Sequence, residues 1–418
     1  MTTLSVVIPA LNEQEGIASI VERTLAVEPA LNAVGVDKLE LIVVDDGSTD
    51  RTAEIVKGYA PQVTLVSHEV NRGYGAAIKT GFQRGTGEWL AFLDADGTYP
   101  PEAFPEMIQA ARQENADLVI GSRMAGTESE MPLTRRVGNV FFAGLVSFVG
   151  KTTITDSASG QRIIRRQALQ KLYPLPDGLN FTPVMSTRAL HEDIKMIEVP
   201  IVYHERKGRS KLNPVTDGIR FLKTILWTGL SYNPVRLFGF IGGLGILVAL
   251  VVGAALVAAR LGGSTEIDPL GAFALFWAVV SAVVGISVFA FGATLNYLAG
   301  LMRGEEIRLG LFGRPLFRPS LDYHFGWMGA VSVVVGLAIS VFALARNAND
   351  PDFASMFFYF LGSAMFVVIG FQLMISWVLM RVIEELSKRK QRAAQDLGQG
   401  QAPVEVAAAE AAQVASPS

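Results

Sequence analysis

Two aspartates at the end of an apolar run are the residues of this chain best suited to chemistry. Trp89-Leu90-Ala91-Phe92-Leu93 leads into Asp94-Ala95-Asp96-Gly97-Thr98-Tyr99-Pro100-Pro101. The run is short, Gly87 precedes it, and Gly97 and two prolines follow, a pattern that favours a strand over a helix. Alternation along an extended chain then puts Asp94 and Asp96 on one side, with Ala95 opposite. Carboxylates held that close repel unless a cation sits between them, and a hard divalent ion with oxygen ligands suits the position. An ion of that kind commonly carries a diphosphate. A solvated Asp-rich turn is the alternative reading, since so short a motif recurs by chance.

The elements that must position this pair come from the first half of the chain. Leu4 to Ile8 read as a strand, and Asn12-Glu13-Gln14-Glu15-Gly16 turn into a helix reaching about Val27. Leu39 to Val44 form the next strand, which runs into Asp45-Asp46-Gly47-Ser48-Thr49-Asp50 and a capped helix over Arg51 to Tyr59. Val63 to Ser67 are a third strand, followed by a helix begun by Asn71-Arg72-Gly73-Tyr74-Gly75 and reaching about Arg84. Residues 89 to 93 are the fourth strand, and Asp117 to Arg123 the fifth. Strands alternating with helices predict an α/β fold with a mostly parallel, doubly wound sheet, and such sheets bind ligands beyond the carboxyl ends of their strands. Asn12-Glu13, Asp45-Asp46, Asp94-Ala95-Asp96 and Gly121-Ser122-Arg123 all fall there. The glycines at 73 and 75 do not complete a dinucleotide loop, because no G-x-G-x-x-G follows the first strand.

With 418 residues and 50% hydrophobic content, the chain has room for two domains and predicts a membrane portion. Cysteine is absent, which excludes disulfides, thiolate zinc and cysteine nucleophiles. The histidines, His68, His191, His204 and His324, are scattered and predict no metal cluster. A formal charge of −3 gives no reason to expect a nucleic-acid partner. The N-terminus enters its strand without a basic flank, so no signal peptide is expected.

Taken together, Val7-Ile8-Pro9-Ala10-Leu11-Asn12-Glu13, Val43-Val44-Asp45-Asp46-Gly47-Ser48-Thr49-Asp50 and Asp94-Ala95-Asp96 resemble family 2 glycosyltransferases, whose catalytic domain has the nucleotide-sugar-binding GT-A fold. Asp156-Ser157-Ala158-Ser159-Gly160-Gln161-Arg162 and Arg206-Lys207-Gly208-Arg209-Ser210-Lys211 resemble the D-x-x-S-G-x-R and R-x-x-G-x-S-K motifs of its dolichyl- and polyprenyl-phosphate sugar synthase branch. Thr98 and Gln161 stand where that branch often has Gln and Phe. The resemblance covers residues 1 to about 230. It implies a nucleotide-sugar site at Pro9, Leu11, Asn12, Glu13, Val43, Asp45, Asp46, Lys79, Asp94, Ala95 and Asp96, with Mg²⁺ or Mn²⁺ on Asp94 and Asp96. Asp94, Asp96 and Asp156 would be the catalytic carboxylates, with Asp156 orienting an arginine. Arg123, Arg135, Arg136, Ser159, Arg162, Arg206, Ser210 and Lys211 would bind the acceptor phosphate, because arginine forks match phosphate oxygens. Arg165, Arg166 and Arg209 read equally well as a basic face that is solvated or rests on anionic lipid.

Residues 214 to 227 predict a helix with Ile219, Leu222, Ile225 and Leu226 on one face and Arg220 and Lys223 off it, suited to the membrane interface. Leu237–Ala259, Gly271–Leu301, Gly326–Ala345 and Phe353–Met380 each reach the ~20 apolar residues that span hydrocarbon. The middle link carries Arg303, Arg308, Arg314 and Arg318, and the end of the last helix Arg381, Lys388, Arg389, Lys390 and Arg392, whereas the first link is short and nearly neutral and the last is Arg346-Asn347-Ala348-Asn349-Asp350-Pro351-Asp352. The positive-inside rule then puts the catalytic domain, the middle link and the C-terminus in the cytoplasm. Expected divisions are a catalytic domain over 1–212, a juxtamembrane helix over 213–235, four spans over 236–381 and a basic stretch with a disordered tail over 382–418.

The leading functional expectation is an inverting enzyme that moves a hexose from a nucleotide-diphosphate sugar to a polyprenyl phosphate at the cytoplasmic face of the bilayer. A homo-oligomer is compatible with the sequence. A processive polysaccharide synthase shares the fold, but the Q-x-x-R-W motif those enzymes carry is missing. A non-catalytic scaffold of the same fold is countered by the intact set of acidic and basic motifs.

Overall fold

The computed structural model describes residues 1–124, 131–150, 153–192, 194–204, 214–262, 269–303, 321–346 and 353–396. The chain divides into two units, Met1–Leu230 and Ser231–Ser418. In the first, the order is β1 (Thr3–Ala10), α1 (Ile17–Ala26), α2 (Glu28–Ala33), β2 (Lys38–Asp45), α3 (Thr52–Lys57), β3 (Val63–Ser67), α4 (Tyr74–Arg84), β4 (Trp89–Phe92), α5 (Phe104–Gln113), β5 (Leu118–Ser122), α6 (Leu133–Val149), β6 (Arg162–Arg165), α7 (Arg166–Leu172), α8 (Phe181–Ala189), β7 (Met196–Pro200) and α9 (Pro214–Tyr232).

Among the described residues the strands form one seven-stranded sheet in the order β3-β2-β1-β4-β6-β5-β7. All neighbouring pairs are parallel except those that β6 makes with β4 and β5. The mostly parallel, doubly wound sheet is therefore as expected, but five strands become seven. The central strands are apolar on both faces because helices cover both. Leu4, Val6 and Ile8 of β1 pack with Ile17 and Ile20 of α1 and Phe104 and Met107 of α5. Val7, with Ile42 and Val44 of β2, packs with Ile78 and Phe82 of α4 and Phe181 and Met185 of α8.

The helix over 214–227 extends to Tyr232, and its apolar residues divide. Ile225 is wholly buried in a cluster with Val146, Ile154 and Leu190, whereas Ile219 is 63% exposed. Six residues of helix separate these two by about 120° at 3.6 residues per turn, so they stand at opposite margins of the expected apolar face, and the margin at Ile225 packs against protein.

The second unit holds α10 (Pro234–Leu261), α11 (Pro269–Arg303), α12 (Phe325–Arg346) and α13 (Phe353–Asp396). Among the described residues four helical stretches, 234–259, 269–302, 321–346 and 356–386, are long and apolar enough to cross a membrane, the third including the turn before α12. Glycines let the backbones approach closely, Gly242 and Gly245 meeting Gly285, and Gly329 meeting Gly370. Ser287 of α11 donates to the Gln372 side-chain oxygen of α13 at 2.5 Å. The tail beyond 396 and the middle-link residues Arg308, Arg314 and Arg318 lie outside the described residues.

Candidate active site

Since β1, β2, β4 and β5 run in one direction, the loops that follow them meet at one edge of the sheet. After β1, Asn12 takes a left-handed φ of 50°. Its side-chain oxygen accepts Thr49 N–H at 2.8 Å, and its own N–H donates to Ser48 Oγ at 2.9 Å. Glu13 N–H donates to Thr52 Oγ1 at 2.9 Å. The loops after β1 and β2 are thus laced together. Asp45, buried, accepts Ser48 N–H at 3.1 Å. Asp46 is turned inward: its carboxylate accepts Arg72 N–H at 2.9 Å and Gly73 N–H at 2.8 Å, and meets His68 Nδ1 at 2.7 Å. With those partners Asp46 fixes the entry to α4. Pro9 and Val43 are buried, Val43 within the core, and Leu11 and Glu13 are half-buried.

The acidic pair departs from the expected alternation. β4 stops at Phe92, Leu93 still donates to Val7 O at 3.2 Å, and residues 95–97 then turn, with Gly97 at φ 75°. That φ is open to glycine at no steric cost, which is why the chain reverses there. The carboxylates are placed by a turn rather than by strand pleating. Asp96 Oδ1 accepts both N–H and Oγ1–H of Thr98, at 3.1 and 2.6 Å. Thr98 therefore holds Asp96 from within the turn. Asp94 Oδ1 accepts the hydroxyl of Tyr74 at 2.7 Å.

The loop before β6 closes on this turn. A Cβ on Gly160 would lie 2.4 Å from Asp94 Oδ2, so a larger residue there would displace the carboxylate. Gly160 N–H donates to Tyr99 Oη at 2.7 Å, and Gln161 Nε2 donates to Pro100 O at 2.7 Å. Ser159 Oγ donates to Gly121 O at 2.5 Å, which ties the same loop to β5.

Asp156 is fully buried and takes three donors from Arg123: the backbone N–H at 3.0 Å, and Nε and Nη2 at 2.7 Å each. Burial pushes the Asp156 carboxyl up, but the Arg123 charge and hydrogen bonds outweigh it and leave the group below its ordinary value. Arg123 in turn lies 5.8 Å from the Tyr99 ring and 5.6 Å from the Tyr203 ring, and Arg135 Nη1 donates to Tyr203 Oη at 3.3 Å.

The remaining cations separate by the sense of β6. Because β6 is antiparallel to β4, Arg162 pairs with Phe92 at the acidic edge while Arg165 pairs with Trp89 at the opposite one. Arg165 stacks 4.9 Å over the Trp89 ring, and Arg166 donates to the carbonyls of Gly87 and Gly85 at 2.8 and 2.7 Å. Both bind protein at the far edge. Arg162 is wholly buried, donates to Ser159 O at 3.1 Å and Ser157 O at 2.8 Å, and has no hydrogen-bond partner at Nη1. Burial pushes its guanidinium down to about 10, partly offset by Asp156. Arg136 is exposed on α6. Lys79 donates to Leu175 O at 2.9 Å and pairs with Asp177 at 2.5 Å. Arg206, Ser210 and Lys211 lie outside the described residues.

Tyr74, Tyr99 and Tyr203 join this network although no motif marked them. Their aromatic side chains, flanked by glycine, proline or β-branched residues, carry no spacing that distinguishes a site tyrosine from a core one.

The doubly wound sheet with an acidic turn at its carboxyl edge is followed in the chain by four apolar helices. The Glycosyl transferase family 2 model matches residues 5–173, and a domain of unknown function, DUF8752, matches residues 234–394. An undecaprenyl-phosphate 4-deoxy-4-formamido-L-arabinose transferase of Pectobacterium carotovorum is 30% identical over 315 residues, 73% of this chain and 90% of the relative. A low-salt glycan biosynthesis hexosyltransferase of Haloferax volcanii is 31% identical over 308 residues, 73% of this chain and 71% of the relative. A dolichyl-phosphate hexose transferase of the same organism is 29% identical over 223 residues, 53% of this chain and 92% of the relative. Among solved structures, glucosyl-3-phosphoglycerate synthase from Mycobacterium tuberculosis, crystallised with Mn²⁺ and uridine diphosphate, matches with 22% identity, TM-score 0.44, and coverage of 55% of this chain and 78% of that one. The chain belongs to glycosyltransferase family 2, and it is an integral membrane enzyme.

Proposed function

We propose that this enzyme transfers a hexose from a nucleotide-diphosphate sugar to a polyprenyl phosphate, with inversion, at the cytoplasmic face of the membrane. The observation that carries this reading is the closure of the D-x-x-S-G-x-R loop on the acidic turn, with Gly160 against Asp94 and Asp156 of the same loop paired with Arg123. Relatives named as undecaprenyl- and dolichyl-phosphate transferases support the acceptor class.

Asp94 and Asp96 suit a hard divalent cation, Mg²⁺ or Mn²⁺. Among the described residues no group of three or more His, Cys, Asp or Glu side chains is arranged to hold a metal. Two carboxylates completed by donor phosphates and water are the donor set such ions commonly accept. When bound, the ion stabilises the charge that develops on the departing diphosphate. Asn12, Asp45 and the loop lacing around them would contact the base or ribose, with Pro9, Leu11 and Glu13 nearby.

The nucleophile is an oxygen of the acceptor phosphate. A phosphate monoester with a second pKa of about 6 is already largely dianionic at neutral pH, so no protein base is required. The oxygen forms its bond to the anomeric carbon from the face opposite the diphosphate, and the breaking bond leaves its electron pair on the nucleoside diphosphate. Asp156 is a poor base, since Arg123 holds it below the ordinary carboxylate range; it orients that arginine instead. Arg123, Arg135, Arg136 and Arg162, with Arg206 and Lys211, would offset the repulsion between two anionic substrates, and positioning with charge stabilisation supplies most of the catalysis.

The exposed face of α6 favours a membrane-surface location for this unit. Leu133, Val137, Val140, Phe141 and Phe148 recur at helical spacing and are all exposed, with Arg135 and Arg136 at the same end as Leu133. A reporter fused after Arg392 is expected in the cytoplasm and one inserted in the 347–352 link on the far side; the opposite labelling would reverse the proposed topology.

The products test the reaction. Incubation with labelled donor and polyprenyl phosphate should release nucleoside diphosphate and leave one phosphate between prenyl chain and sugar. Release of nucleoside monophosphate with a lipid-linked diphosphate would mean phosphosugar transfer and would overturn the mechanism.

A further inference from the structure

We propose that Tyr74 is a positioning residue for Asp94, forming with Gly160 a slot that presets the carboxylate before the metal and nucleotide arrive. The inference rests on the reading of Asp94 as a metal-holding carboxylate. Tyr74 is the first residue of α4 and its ring is carried inward, where the hydroxyl donates to Asp94 Oδ1 at 2.7 Å. A phenol is protonated at neutral pH, so the hydroxyl is a donor towards the carboxylate.

The opposite wall is backbone. A Cβ at Gly160 would come within 2.4 Å of Oδ2 and 2.7 Å of Cγ, so the peptide there already lies against the carboxylate. Gly160 is held in turn by its N–H bond to Tyr99 Oη. The Tyr74 side is anchored too, because Asp46 accepts Gly73 N–H at 2.8 Å and thereby fixes where α4 begins. Asp94 thus meets a hydroxyl on one side and the Gly160 backbone on the other, and both restrict its rotamer. A ligand oxygen fixed in this way loses little side-chain freedom when a cation binds, and residues that orient metal ligands in this manner usually matter nearly as much as the ligands.

The test compares wild type, Tyr74→Phe, Gly160→Ala and Asp94→Asn as full-length chains in detergent, with Mn²⁺ alone as probe and bound ion counted by electron paramagnetic resonance. Tyr74→Phe removes one oxygen and keeps the ring, so the thermal transition should stay near wild type. Its Mn²⁺ dissociation constant should rise about 10-fold or more, the usual loss when a ligand's orienting partner is removed. Turnover should recover at high Mn²⁺, as a preset ligand predicts and a damaged fold does not. Gly160→Ala should weaken Mn²⁺ in the same direction by pushing the carboxylate aside; should it fail to fold, Tyr74→Phe decides alone. Wild-type Mn²⁺ affinity in Tyr74→Phe, with affinity lost in Asp94→Asn, overturns the role of Tyr74 and leaves the metal reading standing. Wild-type affinity in Asp94→Asn overturns the metal reading, and the proposal with it. A Tyr74→Phe defect that lowers the thermal transition and does not respond to Mn²⁺ makes Tyr74 a packing residue.

Discussion

Asp96→Asn should lower turnover by about 10³-fold while the catalytic unit keeps its fold, since several kcal/mol of charge stabilisation at about 1.4 kcal/mol per factor of ten amounts to that. The fold survives because the asparagine side-chain oxygen can still accept the two Thr98 donors that Asp96 accepts now. What is lost is the negative charge, and a neutral amide is a poor ligand for a hard cation. Turnover of labelled donor, alongside the thermal transition, measures both halves. Wild-type-like turnover would take Asp96 out of the metal site.

A loss of stability rather than of chemistry is expected first from Asp156→Ala. The change leaves the Arg123 guanidinium between Tyr99 and Tyr203 without the carboxylate that takes two of its N–H donors, and the Arg123 backbone N–H without its acceptor. Breaking a buried ion pair by removing one partner costs about 3–5 kcal/mol. For a unit of this size the thermal transition should fall by roughly 10 °C. The pH dependence has a definite sign. The Asp156 carboxyl is held below its ordinary value of 3.8, so the pair stabilises fully above that pH and is lost only as the solution is acidified through the lower folded value. A variant melting with the wild type would mean that Arg123 finds another anion or reaches water.

Much of the architecture is legible in the sequence because it depends on local pattern. Leu4–Ile8, Leu39–Val44 and Trp89–Leu93 are apolar runs too short for helices, and each ends on acidic or amide side chains. The order of strand, polar cluster and helix is enough to bring Asn12, Asp45 and Asp94 to one edge. The four apolar segments are legible by length alone, because a bilayer imposes a minimum of ~20 residues on a spanning helix.

β6 is not legible in this way. Arg162-Ile163-Ile164-Arg165 is four residues long with a cation at each end, and it becomes a strand only because β4 and β5 pair with it from far along the chain. Its reversed direction decides what the arginines do, sending Arg162 to the acidic edge and binding Arg165 and Arg166 to protein at the other. Asp46 and Tyr74 make the same point at the level of single side chains. The resemblance puts Asp46 in the nucleotide-sugar site, and the structure adds that its carboxylate meets His68 and the backbone N–H groups of Arg72 and Gly73. Tyr74 looked like one more aromatic after a glycine, yet it bonds Asp94. Residue types and spacing determine which groups are available and which edge of the sheet they reach, because helix and strand periods are local. Which oxygen each donor meets depends on register, strand direction and close approach between segments distant in sequence, and only the packed tertiary structure settles those.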